Sequence, residues 1–169
     1  MAPQGARQKH SLIVYLGNPI LSSDRIGLDV GRRLARELPR FSLPNAVEIR
    51  EFVGSPLDLL SELEGYRQLV LIDSIVTRKM EIGEVALFRE EEIVDFAKAQ
   101  YVHGLNLAEV IALSRRLGLP FPERILLIGI EVGDVGKFGD RLDPKLEARL
   151  QDIHAAVRDA TAEFLGSDG

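Results

Sequence analysis

The chain has 169 residues, of which 46% are hydrophobic and 28% charged, and this composition is typical of one soluble globular domain. It carries 21 Lys and Arg against 26 Asp and Glu, and the net charge of −5 argues against nucleic acid as its main partner. It has no cysteine, which excludes disulfides and thiolate metal sites. No apolar run approaches the roughly 20 residues that span a bilayer, so we expect no membrane partner.

The first ten residues are polar and lack the apolar core of a signal peptide. We therefore predict a disordered tail over residues 1–10, which includes His10, and a single α/β domain over residues 11–169. The same observation predicts a cytoplasmic location.

Residues 12–16 form an unbroken apolar run, which is typical of a strand buried on both faces. The sequence Gly-Asn-Pro at 17–19 ends this strand, because these residues favour turns and proline cannot donate to a strand ladder. Ser22 and Ser23 are then predicted to be N-caps of a helix over residues 24–38. Two glycines four residues apart in this helix, Gly27 and Gly31, indicate a close approach to the sheet.

The rest of the chain alternates predicted strands and helices. Strands are predicted over residues 46–52 (near an edge), 68–73, 84–89 and 124–130. Helices are predicted over residues 55–63 and 105–117, and two further helices are predicted to start at residues 90–92 and at Asp143. This alternation predicts a three-layer α/β/α sandwich around a mostly parallel sheet of about five strands.

Polar side chains follow the apolar strands at the points where those strands end. Asp24 follows the first strand, Asp73 closes the strand at 68–73, Glu131 follows the strand at 124–130, and His103 precedes a helix. The carboxyl ends of parallel strands share one edge of a sheet, so these groups can converge there. Two carboxylates and an imidazole favour an open divalent site for nickel, zinc or iron.

Other readings of these residues stay open at this point. A loop histidine can simply cap or hydrogen-bond a turn, and Asp24 and Asp73 could instead share a proton as a carboxylate dyad. We interpret His10 and His154 as solvated or structural. The chain has no Gly-x-Ser-x-Gly elbow, no His-Glu-x-x-His helix and no dinucleotide or phosphate-binding glycine loop, which argues against those enzyme classes.

Several short blocks occur in a fixed order between residues 12 and 150. They are Gly17-Asn18-Pro19-Ile20-Leu21 with Asp24 and Gly27, Leu71-Ile72-Asp73-Ser74, Gly83, His103-Gly104-Leu105 with Glu109, Gly129-Ile130-Glu131, and Leu142-Asp143-Pro144. In this order and spacing the chain resembles the hydrogenase maturation proteases. These endopeptidases trim the C-terminus of the nickel-bearing large subunit of [NiFe] hydrogenases.

The resemblance implies a metal-dependent endopeptidase that removes a C-terminal peptide from a nickel-loaded large-subunit precursor, with the nickel supplied by that precursor. It implies that Asp24, Asp73 and His103 bind the metal. Arg25 beside Asp24, and Val132 after Glu131, depart from the family's usual pattern, but neither removes a ligand.

Two alternatives remain beside this reading. One is a non-enzymatic nickel-sensing or chaperone-like binding module for the same precursor, using the same three residues. The other is a small-molecule hydrolase with a metal-free aspartate pair, whose activity would survive chelators and the loss of His103.

Overall fold

The computed structural model describes residues 9–43, 45–54, 56–99 and 107–167. These residues form one five-stranded sheet with the strand order β2-β1-β3-β5-β4. The first four strands of that order are parallel, and β4 runs antiparallel to β5, which confirms the predicted mostly parallel sheet. The strands are β1 (Lys9–Leu16), β2 (Val47–Phe52), β3 (Tyr66–Ile75), β4 (Val85–Arg89) and β5 (Arg124–Glu131).

Helices cover both faces of the sheet, so the predicted three-layer sandwich is confirmed. Helices α1 and α5 bury their apolar side chains on one face, and α2, α3 and α4 pack on the other. None of the helices in the described part of the chain combines the length and apolarity needed to cross a membrane. The helices are α1 (Ile26–Glu37), α2 (Pro56–Glu62), α3 (Glu90–Ala99), α4 (Leu107–Leu117) and α5 (Pro144–Gly166).

The central strands divide their side chains between two hydrophobic clusters. In β1, Ile13 and Tyr15 pack with α1 and α5, while Leu12 and Val14 pack in the cluster on the opposite face. Strands β3 and β5 divide their side chains in the same way. Because both faces are covered by helices, neither needs polar side chains, which explains the unbroken apolar runs in the sequence.

Helix α1 lies directly against the sheet through its two glycines. A Cβ atom on Gly27 would lie 2.1 Å from the carbonyl oxygen of Leu16, and one on Gly31 would lie 2.0 Å from Cγ of Tyr15. The predicted close approach is therefore confirmed. This contact places the N-terminus of α1 beside the carboxyl ends of the central strands.

The start of α1 differs from the prediction. The helix begins at Ile26, its N-cap is Arg25, and no side chain caps it. The Ser22 hydroxyl instead donates to the carbonyl oxygen of Lys137 at 3.2 Å, and Ser23 contributes only its carbonyl oxygen, which accepts from the N–H of Ile26. The predicted serine N-caps are thus wrong, because the loop after β5 packs here and supplies Ser22 with another acceptor.

Two strand boundaries also differ from the prediction. Strand β1 begins at Lys9, so His10 belongs to the sheet and not to a tail, and residues 1–8 lie outside the described residues. Strand β3 runs on to Ile75, so Asp73 lies within the strand rather than at its end. Both extensions are stabilised by pairing with neighbouring strands. The hydrophobic pattern within one strand does not show how far this pairing continues.

His154 is a structural and not a solvated residue. It is 2% exposed between α5 and α1, and its Nε2 has no hydrogen-bond partner, with Oε2 of Glu37 3.5 Å away. Burial lowers the pKa of His154, and the nearby Arg33 lowers it further, whereas Glu37 raises it. A neutral imidazole is therefore the form that this packing favours.

Candidate active site

Asp24 lies in the loop between β1 and α1, and this loop is fixed by the loop that follows β5. Leu21 and Phe138 form an antiparallel bridge, and the N–H of Ser22 donates to the carbonyl oxygen of Lys137 at 2.9 Å. Backbone pairing with a neighbouring segment restricts the movement of a short loop. Asp24 therefore sits on a defined turn at the carboxyl edge of the sheet.

Asp73 lies in β3 at the same edge, where it is paired in register with Gly129 of β5. Ser74 connects it to Asp24. The N–H of Ser74 donates to Oδ1 of Asp73 at 2.8 Å, and the Ser74 hydroxyl donates to Oδ1 of Asp24 in a short hydrogen bond. The structure thus brings together two of the predicted site residues, with a buried serine between them.

The two carboxylates are coupled electrostatically. Asp73 is partly buried, and its pKa is raised from 3.8 to about 7. The loss of solvent around the carboxyl group is the largest cause, the negative charge of Asp24 adds to it, and the Ser74 N–H opposes the shift. Near neutral pH Asp73 therefore exchanges its proton readily. Such a group can give up that proton to bind a divalent cation, or can accept one from water.

Glu131 does not join this pair. It is 2% exposed, and its carboxylate is engaged by the loop that follows β3. It accepts hydrogen bonds from the N–H of Thr77 at 2.9 Å, from the Thr77 hydroxyl at 2.6 Å and from the N–H of Arg78 at 3.1 Å. The predicted convergence at this edge is therefore correct for Asp24 and Asp73 and wrong for Glu131, because the Glu131 side chain turns toward a loop that needs acceptors.

Ser74 is the site residue whose role sequence reasoning missed. In the sequence it appears only as part of the block Leu71-Ile72-Asp73-Ser74, without a role of its own. The available signal was its place beside Asp73 at the end of an otherwise apolar strand, where a buried hydroxyl requires a hydrogen-bond partner.

His103 lies outside the described residues, so its place beside the two aspartates stays a prediction. Within the ranges that the structure describes, no three His, Asp or Glu side chains are grouped closely enough to hold a metal ion. Asp24 and Asp73 by themselves offer two carboxylate ligands. Two carboxylates are a suitable but incomplete donor set for a divalent ion.

Comparisons with known proteins converge on one family. The family model HycI, described as hydrogenase maturation protease, matches residues 32–160, a range that includes Asp73 and begins after Asp24. The Hydrogenase 2 maturation protease of Escherichia coli (strain K12) is 27% identical over 158 residues, which cover 91% of this chain and 94% of that protein.

Solved structures agree in fold over almost the whole chain. The hydrogenase maturating endopeptidase HybD from E. coli superposes with a TM-score of 0.70 at 27% identity, covering 91% of this chain and 93% of its own. The [NiFe] hydrogenase maturation protease HybD from Thermococcus kodakarensis superposes with a TM-score of 0.63 at 28% identity, covering 89% and 98%.

Proposed function

The chain belongs to the hydrogenase maturation protease family, and we propose that it removes a C-terminal peptide from the nickel-loaded large-subunit precursor of a [NiFe] hydrogenase. The observation that carries this proposal is the pair of carboxylates, Asp24 and Asp73, joined through Ser74 at the carboxyl edge of the sheet. In α/β proteins this edge is where ligands bind. The relatives are named as proteases and endopeptidases, which favours an enzyme over a binding module.

We propose further that Asp24, Asp73 and His103 bind the nickel ion that the precursor carries. Two carboxylates and an imidazole are hard to borderline ligands that leave coordination positions open. A nickel ion already held by ligands of the precursor could therefore accept them without leaving the precursor. In this scheme the nickel is part of the substrate and not a resident cofactor of the protease.

The raised pKa of Asp73 gives this residue two possible uses. As a ligand, Asp73 would lose its proton when the nickel arrives, because a metal ion binds the ionised carboxylate. As a general base, it would accept a proton from the attacking water, for which a pKa of about 7 is well suited. The two uses predict different defects for Asp73→Asn. If Asp73 is a ligand, the variant loses affinity for the loaded precursor, and if it is a general base, the variant loses only the cleavage step.

Nickel in the precursor would also explain how cleavage is timed. The metal contact and the protein–protein contact would act as two linked binding events, so that a loaded precursor binds much more tightly than an empty one. Cleavage would then follow nickel insertion and not precede it. That this reaction takes place in the cytoplasm stays a prediction.

The test is to mix the purified protein with nickel-loaded and nickel-free precursor and to follow the loss of the C-terminal peptide by mass spectrometry. We expect a mass loss from the loaded form only. Tight binding without any mass loss would instead favour the nickel-sensing module. Equal cleavage of both forms would contradict the role of nickel while leaving the protease activity intact.

A further inference from the structure

Arg78, in the loop after β3, has an unusual backbone conformation. Its φ is 57°, and among the described residues it is the one non-glycine position with positive φ. A side chain with a Cβ atom is disfavoured in this left-handed region, whereas glycine adopts it freely. If position 78 served only to form the turn, glycine would therefore be the more stable residue there. The presence of arginine indicates that its side chain has a use.

The buried carboxylate of Glu131 holds Arg78 in this conformation. It accepts the N–H groups of both Thr77 and Arg78, and it also accepts the Thr77 hydroxyl. The same hydroxyl accepts the N–H of Lys79 at 3.0 Å, which closes the turn. A buried charge is unfavourable unless it is fully hydrogen-bonded, and here the hydrogen bonds all come from this one turn.

The turn lies at the edge of the sheet that carries the two aspartates. Ile75, the last residue of β3, is paired in register with Glu131, and Asp73 precedes it by two residues in the same strand. The Arg78 side chain is exposed, and no acidic residue in the described part of the chain forms a salt bridge with it. The Arg78 side chain is thus exposed on the turn that directly follows the strand carrying Asp73.

We propose that Arg78 is a specificity-determining residue that binds a carboxylate of the peptide that is removed from the substrate, and that Glu131 is the residue that positions it. This inference rests on the proposed function. A guanidinium fits a carboxylate through two parallel hydrogen bonds, and a fixed backbone reduces the entropy that binding costs. The carboxylate belongs either to an acidic side chain of the removed peptide or to its terminal α-carboxyl group.

The first experiment compares Arg78→Gly, Arg78→Lys and the wild type on nickel-loaded precursor. Arg78→Gly removes the guanidinium and also relieves the backbone, so its melting temperature should be equal or higher while KM rises roughly tenfold with little change in kcat. Arg78→Lys keeps the positive charge but loses the planar guanidinium that binds a carboxylate through two hydrogen bonds, so its KM should lie between those of the wild type and Arg78→Gly. The matched control is Arg40→Gly, an exposed arginine beyond the far end of α1, which should leave KM unchanged.

The second experiment identifies the carboxylate. One precursor carries amides in place of the acidic side chains of the removed peptide, and another carries a short Gly-Ser extension that moves the terminal α-carboxyl group away. The altered precursor that raises KM for the wild-type protein, but does not raise KM further for Arg78→Gly, lacks the carboxylate that Arg78 binds. Glu131→Gln should likewise raise KM in the wild-type background and have little effect on KM when combined with Arg78→Gly.

A wild-type KM for Arg78→Gly would overturn this inference, as would a raised KM for Arg78→Gly that neither altered precursor reproduces with the wild type. Both results leave cleavage by the wild type in place, so the proposed function stands. No cleavage of loaded precursor by the wild type would refute the proposed function itself.

Discussion

Ser74 is the residue through which the two candidate carboxylates are connected. Its hydroxyl donates to Asp24 and its N–H donates to Asp73, so a single position holds both groups. The N–H bond lowers the pKa of Asp73, and yet that pKa is raised to about 7, because burial and the charge of Asp24 outweigh it. The titration of Asp73 is therefore a direct probe of the geometry of the pair.

The first prediction concerns this coupling. Asp24→Asn removes a negative charge and should lower the pKa of Asp73 from about 7, but not as far as 3.8, because burial is the larger cause and remains. The measurement is a pH titration of the Asp73 carboxyl carbon by NMR. Asp58→Asn, which changes an exposed aspartate of α2, is the matched control and should leave this pKa unchanged. An unaltered Asp73 titration in Asp24→Asn would show that the two carboxylates do not interact.

The second prediction concerns the proposed ligands. His103→Ala and Asp73→Asn should both abolish trimming of the loaded precursor, because an alanine has no donor atom and an amide is a far poorer ligand than a carboxylate. The sequence predicts that His103 has no role in the core, and a change at such a residue costs no more than about 0.5 kcal/mol of stability, so His103→Ala should remain folded. The readout is mass spectrometry of the precursor together with circular dichroism of the variant. Full trimming by either variant would remove that residue from the site.

At the scale of elements, the contact between α1 and β1 positions Asp24. Gly27 and Gly31 allow the helix backbone to touch the sheet, and the aspartate lies just before the helix begins. Any side chain at these positions would push the helix outward and move Asp24 relative to Asp73. Packing at the centre of the fold and geometry at the site are therefore linked.

The third prediction tests that link. Gly31→Ala should lower the free energy of unfolding by about 1–3 kcal/mol or more, because the added methyl group would overlap the ring of Tyr15. It should also slow precursor cleavage by shifting α1. Urea denaturation and the mass-spectrometric assay measure the two effects. The control is Gly166→Ala at the end of α5, where a Cβ atom meets nothing within 4 Å and stability should be retained. Wild-type stability in Gly31→Ala would contradict the close approach.

Asp73 and His154 contribute to the stability of the fold with opposite dependence on pH. The folded state holds the proton of Asp73 more tightly than the unfolded state, because its pKa is about 7 instead of 3.8. The contribution of Asp73 to the free energy of unfolding is therefore greatest below about pH 4 and is lost as the pH rises to about 7. The pKa of His154 is lowered, so its stabilising contribution is present above the unfolded-state pKa of 6.5 and is lost as the pH falls.

The fourth prediction follows from the first of these titrations. Asp73→Asn cannot ionise, so its free energy of unfolding relative to the wild type should increase between about pH 4 and pH 8, at up to about 1.4 kcal/mol per pH unit. Comparing the two proteins at each pH cancels the contribution of His154. Urea denaturation at several pH values gives the curve. A constant difference across this range would show that Asp73 titrates with an ordinary pKa.

The arrangement of a central sheet between two layers of helices could be predicted from the sequence. Apolar runs at residues 12–16 and 69–72 predict strands covered on both faces, and this requires helices on both sides of the sheet. The glycine spacing of α1 and the proline after Asp143 predicted a close helix contact and a helix start, and both are confirmed. These features are local in sequence, because periodicity and turn chemistry act over a few residues.

The hydrogen-bond partners of the polar side chains, in contrast, depend on the tertiary structure. Ser22 was predicted to cap a helix but bonds to Lys137, and Glu131 was predicted at the acidic pair but holds Arg78. The hydrogen bond from the Ser74 hydroxyl to Asp24 is not predicted by any sequence motif. A hydrogen bond depends on which distant loop lies within about 3 Å, and that distance is set by the packing of the complete sheet and its helices. A short stretch of sequence fixes a strand, but the partner of a buried carboxylate exists only once the chain has folded.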